Sequence, residues 1–198
     1  MSSEPDTLTL VALRANDLAM LRPPARSGDE AVPLVEAAKA GDRGAFAALY
    51  DRYVRMVHGI VLTRVHRSHV DDLVQDVFVH ALSRLTSLRE PAAFGGWLAT
   101  IARNRATDHL RQYGRNEVSL EEDAAGPGGD RAEALAALAV LRTLPDAYRE
   151  TLALRLIEGM TGPEIAERTG LTPASVRVNL HRGMKLLRAR LQGDAHRE

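Results

Sequence analysis

The chain has 198 residues, 45% of them hydrophobic and none of them cysteine, which is enough apolar material for a core and excludes disulfides and cysteine-held zinc. No apolar run approaches the roughly 20 residues that span a bilayer, and the N-terminus lacks a basic start followed by an apolar stretch, so a cytoplasmic protein is expected. The formal net charge is zero, but it is distributed as −2 over 1–30, +4 over 31–115, −5 over 116–130 and +3 over 131–198; two basic modules flank an acidic connector, and the local field governs encounter with nucleic acid more than the total does.

Residues 1–31 carry Pro5, Pro23, Pro24 and Gly28 among scattered acids and are expected to form a disordered extension. Residues 32–113 read as helices. Asp42 caps a helix whose apolar face is Phe46, Leu49, Tyr53, Val57 and Ile60, the spacing of a helical stripe. Ser68, with Asp71 three residues on, is expected to open a second helix with Val70, Leu73, Val77, Ala81 and Leu85 on one face. Pro91 suits the first turn of a third, which runs through Phe94, Trp97, Leu98 and Ile101 to about Tyr113. No stretch shows the period-two alternation of a strand. Residues 114–130 hold four glycines and a proline among acids and form a flexible linker.

A second helical module follows over 131–192, with a short tail at 193–198. Leu135, Leu138 and Leu141 mark one helix, and Pro145 opens the next, which stops near Gly159. Thr161-Gly-Pro-Glu164 is a capping box. A short helix then reaches Gly170, and Thr172 caps a last helix that begins at Pro173 and ends near Leu191. Two capped helices joined through a glycine form a helix-turn-helix. Val176, Leu180, Gly183, Leu187 and Leu191 make the packed stripe of the last helix, while Ser175, Arg177, Val178, His181, Arg182 and Lys185 make a front of donors suited to base edges and phosphates. The fold class is therefore all-α: two small helical domains joined by a flexible acidic linker, the second containing a helix-turn-helix.

The first module carries two further surfaces. Asp72, Gln75, Asp76 and Val79 share one helix face, an apolar residue among acids, as at a polar-rimmed protein interface. Trp97 precedes Arg103, Arg105 and Arg111, and aromatic groups beside guanidinium groups suit unstacked single-stranded bases, although the spacing of Trp97 to Phe94 and Ile101 equally fits a core position.

Here the sequence resembles a known family. Asp72-Leu-Val-Gln-Asp-Val-Phe78 looks like the polymerase-binding stretch of sigma region two, and Trp97-Leu-Ala-Thr-Ile-Ala-Arg-Asn104 with Asp108-His-Leu-Arg111 looks like its promoter-melting and minus-ten-reading stretch. Leu144-Pro-Asp-Ala-Tyr-Arg149, Glu164-Ile-Ala-Glu, Ser175-Val-Arg and His181-Arg look like region four, which reads the minus-thirty-five element. Order and spacing match over about 33–191, and a short linker stands where region three would lie, as in the extracytoplasmic-function (ECF) sigma factors of bacterial RNA polymerase. The resemblance implies a specificity subunit rather than an enzyme, with no cofactor and no metal. Asp72, Gln75, Asp76, Phe78 and Val79 would bind the clamp of the polymerase large subunit. Arg89, Phe94, Trp97, Arg103, Asn104, Arg105 and Arg111 would hold minus-ten DNA. Thr172, Ser175, Arg177, Val178, His181, Arg182 and Lys185 would meet minus-thirty-five DNA. Partners implied are polymerase core, promoter DNA and an anti-sigma factor. Gly95-Gly96 departs from the family pattern at the start of a helix usually built from better formers.

Two other readings compete. A helix-turn-helix regulator with a sensing domain in front explains the C-terminal half alone. An isoprenoid synthase is suggested by Asp71-Asp72-Leu-Val-Gln-Asp76, since carboxylates four apart on a helix can share a cation, but the motif occurs once and the module is small for a prenyl cavity. His66 and His69 show no third ligand for a metal.

Overall fold

The computed structural model describes residues 31–113 and 129–194. The expectations for residues 1–30 and 114–128 lie outside the described residues; Ala31, read as the end of the extension, and Gly129 and Asp130, read as the end of the connector, are helical. In the N-terminal unit α1 is Ala31–Lys39, α2 Arg43–Leu62, α3 Val70–Arg84 and α4 Phe94–Tyr113. In the C-terminal unit α5 is Gly129–Arg142, α6 Asp146–Leu156, α7 Gly162–Thr169 and α8 Pro173–Asp194. Among the described residues there is no strand.

Helix starts follow local chemistry. The Asp42 carboxylate accepts hydrogen bonds from the Gly44 and Ala45 amides at 2.8 and 3.1 Å, satisfying two of the donors a helix leaves open. Thr161 and Glu164 form a complete capping box at α7, and Gly170 ends that helix at φ 73°, a left-handed conformation that only glycine adopts without steric cost. The Ser175 amide donates to Thr172 Oγ1 at 3.1 Å, capping α8. Ser68 does not cap α3. It lies in a 3-10 turn over Arg67–His69, where its amide donates to His66 Nδ1, and α3 opens at Val70 with no side-chain cap. Asp71 and Asp72 in the first turn supply the favourable charge there instead.

The stripes read from the sequence are the core. Leu49, Tyr53, Val57 and Ile60 of α2, Val70, Leu73, Val77 and Ala81 of α3 and Phe94, Leu98, Ile101 and Ala102 of α4 are buried together. In the C-terminal unit Leu141, Leu144, Leu152, Ala153 and Leu187 form a smaller cluster. Gly183 lets α8 lie on α6, since a Cβ there would stand 3.0 Å from Leu152 Cδ1 and from Tyr148 Cβ. Leu191, expected to close the α8 stripe, is instead 38% exposed, because α8 has by then run past the end of α6.

The two units do not sit apart. Leu154, Met160, Ile165, Ala166 and Val176 of the C-terminal unit are buried in the same cluster as the N-terminal core. Glycines permit the seam. A Cβ on Gly59 would stand 2.9 Å from Leu154 Cδ2, and one on Gly95 would press on the Arg168 carbonyl, 3.0 Å from its carbon.

Candidate nucleic-acid and protein interfaces

The front of α8 is a continuous open surface. Arg177, Val178, His181, Arg182 and Lys185 are all exposed, at positions that share a face over more than two turns. Behind them Val176 and Leu187 are buried, and Asn179 Nδ2 donates to Thr151 Oγ1 across to α6 at 3.4 Å. Thr172 and Ser175 are exposed, but their hydroxyls pair with each other at 2.8 Å. Their first task is to hold the helix start, and it is this cap that lets the following side chains project together. A rigid helix with an apolar back, presenting cations and a valine in front, has the form that enters a major groove.

On α3, Asp72 and Gln75 are exposed, and Val79 is 61% exposed. Leu82, three residues further on the same face, is 52% exposed. The sequence reading missed Leu82, although its spacing from Asp72, Gln75 and Val79 carried the signal. Together they make an apolar strip beside acids, an interface pattern. Phe78 is a correction. It is only 3% exposed, its ring packs on Tyr50 at 4.5 Å and Phe46 at 6.5 Å, and it cannot reach a partner. Asp76 is half turned away as well: Arg105 Nε donates to its carboxylate at 2.6 Å. The same pair removes Arg105 from the free cations of α4 and gives Asp76 a structural task.

The α4 surface also divides. Phe94 is fully buried, edge-on to Tyr53 at 5.1 Å, so its assignment to DNA is corrected to core. Trp97 is half-buried, 5.8 Å from Phe94 and packed against the same core. Arg89, Asn104 and Arg111 are exposed, and Arg111 lies 3.6 Å from Asp108 one turn back. Arg103 is engaged across the seam, donating from Nε and Nη2 to the two Glu150 oxygens at 2.9 and 2.6 Å. This forked pairing holds its guanidinium charged more firmly than usual. Glu150 is 6% exposed and also accepts from Arg64 at 3.1 Å.

Two more acids of the C-terminal unit reach the N-terminal one: Glu167 pairs with Arg52, and Glu158 pairs with His58 at 2.6 Å. The hydrogen bond to Glu158 raises the His58 pKa above the ordinary 6.5, against the opposing effect of burial, with a smaller attraction from Asp71. Arg55 also faces Glu158 at 3.8 Å. A raised folded-state pKa gives stability that is fully present below the unfolded value and lost as pH rises through the folded one. His58→Gln is therefore expected to lower the melting temperature most at about pH 5.5, with the gap to wild type narrowing as pH rises above about 6.5. Thermal melts of both proteins across that range check this; a gap that widens with pH would overturn it.

Among the described residues no group of three or more His, Asp or Glu side chains is arranged to hold a metal ion, and Asp76 of the aspartate-rich motif is committed to Arg105. No described helix is long and apolar enough to cross a membrane. The fold and its surfaces thus define an all-helical protein whose C-terminal unit presents a helix-turn-helix with an exposed cationic helix face, and whose N-terminal unit exposes an apolar strip beside acids.

Comparison with known proteins sharpens this class. Residues 49–116 match the family model for Sigma-70 region 2, and residues 134–187 match that for Sigma-70, region 4. The chain is 34% identical over 188 residues to the ECF RNA polymerase sigma factor BldN of Streptomyces coelicolor, covering 88% of this chain and 71% of that protein. It is 30% identical over 177 residues to the ECF RNA polymerase sigma-E factor of Haemophilus influenzae, covering 80% and 94%. A solved structure of CnrH in complex with the cytosolic domain of CnrY superposes with a TM-score of 0.58 at 30% identity, covering 83% of this chain and 98% of that one. The chain belongs to the ECF sigma factors of RNA polymerase, a family of non-enzymatic transcription initiation factors. The region 2 match across the N-terminal unit is what a helix-turn-helix regulator with an unrelated sensing domain would lack.

Proposed function

We propose that α8 reads the minus-thirty-five element, that α4 and the loop before it hold minus-ten DNA, and that the open face of α3 docks on the clamp of the polymerase large subunit. The observation that carries this is the pairing of an exposed, cation-bearing recognition helix with an acid-rimmed apolar strip on a separate unit. Asp72, Gln75, Val79 and Leu82 form the docking face. Arg89, Trp97, Asn104 and Arg111 are the minus-ten groups open in this arrangement, with Arg103 available once it leaves Glu150. In the cytoplasm the two units would straddle the promoter and stabilise bases leaving the stack, whose extrusion costs a few kcal/mol. An anti-sigma factor is proposed as the restraining partner; CnrH, which this chain resembles in fold, is solved with the cytosolic domain of CnrY.

Transcription with core polymerase on a promoter library tests the assignment of α8. Arg177 lies early in α8, where a recognition helix meets base edges, and Lys185 lies two turns on, where phosphates are nearer. Arg177→Ala is expected to cost about 1–3 kcal/mol on the preferred site and to relax one position. Lys185→Ala is expected to lower output on every promoter and to reduce the salt slope by about one. An unchanged sequence profile for Arg177→Ala would remove α8 from the groove.

A further inference from the structure

We propose that Lys39 is a positioning residue for promoter melting: by fixing the Leu88 carbonyl it sets the shape of the loop Leu88–Glu90, in which an extruded minus-ten base is held. This inference rests on the assignment of minus-ten DNA to α4 and the loop before it. The loop lies between two 3-10 turns, Leu85–Ser87 and Pro91–Ala93. Leu85 and Leu88 are buried and anchor it in the N-terminal core, while Arg89 and Glu90 are exposed. Lys39, 49 positions before Leu88, donates from Nζ to the Leu88 carbonyl at 2.7 Å. That bond joins the end of α1 to the loop, and α1 packs along both flanking turns.

The end of α1 shows why this lysine can serve the loop. A basic residue in the last turn of a helix ordinarily meets that helix's own open carbonyls. Here backbone amides already meet them. The Ala40 amide donates to the Glu36 and Ala37 carbonyls at 3.1 Å, the Gly41 amide to Ala38 at 3.0 Å and the Asp42 amide to Ala37 at 3.0 Å, in a turn that Gly41 makes at φ 97°. Val35 and Ala38 bury α1 in the core, so the stem of Lys39 leaves from a rigid base. Without the ammonium group, the part-buried Leu88 carbonyl would lose its donor, the costly case for a polar group. Turning that peptide toward water turns the Arg89 amide with it, because the two belong to one planar unit, and so redirects the exposed side chains that follow. A loop already held in one shape loses less freedom when a base enters it, which helps offset the cost of taking that base out of the stack.

The test uses holoenzyme, formed from the full chain and core polymerase, and a labelled single strand carrying the minus-ten sequence that the promoter library selects. Each base of the strand is removed in turn, leaving an abasic sugar. Wild type is expected to lose affinity at the position whose base enters the loop. Lys39→Met is expected to bind the intact strand roughly tenfold more weakly, the scale of one charge-assisted hydrogen bond, and to lose nothing further at that position. Lys39→Arg keeps a donor and is expected to restore both the affinity and the base dependence. A lysine with a merely structural role would lower the melting temperature and leave the abasic profile as in wild type. One that touched phosphate directly would lower the salt slope by about one when replaced, whereas a positioning residue leaves the slope unchanged. Should Lys39→Met fold poorly by circular dichroism, Lys39→Leu, a good helix former without a donor, carries the same expectations. A wild-type abasic profile in these variants, or a salt slope reduced by about one, would overturn the role of Lys39. Abasic sites without effect on wild type itself would overturn the assignment of the loop to minus-ten DNA, so the two failures are distinguishable.

Discussion

Phe94→Ala is expected to destabilise the protein by about 3–5 kcal/mol, the range for deleting a buried aromatic ring. Its side chain is fully buried, with Tyr53 edge-on at 5.1 Å and Trp97 at 5.8 Å, and it packs where the start of α4 meets both units. Removing it leaves a cavity bounded by rings that cannot all collapse inward, because Gly95 is already pressed on the Arg168 backbone. Urea unfolding with an unchanged m value reads the loss as a shift of midpoint. The same experiment decides between the two roles the residue type allows. A base-stacking phenylalanine at the surface would leave the midpoint near that of wild type and weaken single-strand binding alone.

That outcome bears on how far a motif can be read. The positions legible in the sequence were those decided by neighbours along the chain. Asp42, the Thr161–Glu164 box, Gly170 and Thr172 each act within three or four residues, and each does what its chemistry requires. Ser68 failed for a reason also local but less visible, since His66 competes for its amide and draws it into a 3-10 turn. Phe78 and Phe94 were assigned to surfaces because they sit inside stretches that resemble functional ones, yet a motif on a helix includes the residues that anchor it as well as those that project from it. Periodicity already placed Phe94 with Leu98 and Ile101 and so favoured the core. What no local pattern could reveal is the seam. Glu150 meets Arg64 across 86 positions and Arg103 across 47; within the N-terminal unit, Arg105 meets Asp76 across 29, equally beyond a local pattern. Charge counted by segment showed two basic modules, whereas the folded chain uses acids of one to cover cations of the other.

The α3 face proposed for docking is where a surface change should matter most. Asp72→Arg combined with Val79→Asp is expected to weaken core polymerase binding by roughly 30-fold or more, the scale of losing an interface hot spot. Val79 at 61% exposure supplies apolar area to the centre of the strip, and Asp72 supplies rim charge whose reversal sets like against like at a surface complementary to acid. Val79 is open to solvent and Asp71 keeps an acid in the first turn of α3 when Asp72 is replaced, so the melting temperature should fall only slightly. Asp76 is excluded from the design, because Asp76→Arg would set two guanidinium groups against each other at Arg105 and confound binding with stability. Gln75→Ala, on the same face without charge, is expected to have a small effect, and Leu82→Asp an effect comparable to that at Val79. Co-migration of each variant with core polymerase on a sizing column, at matched concentrations, gives the ranking. If the Asp72→Arg, Val79→Asp protein forms holoenzyme at normal affinity, the docking face lies elsewhere on the N-terminal unit.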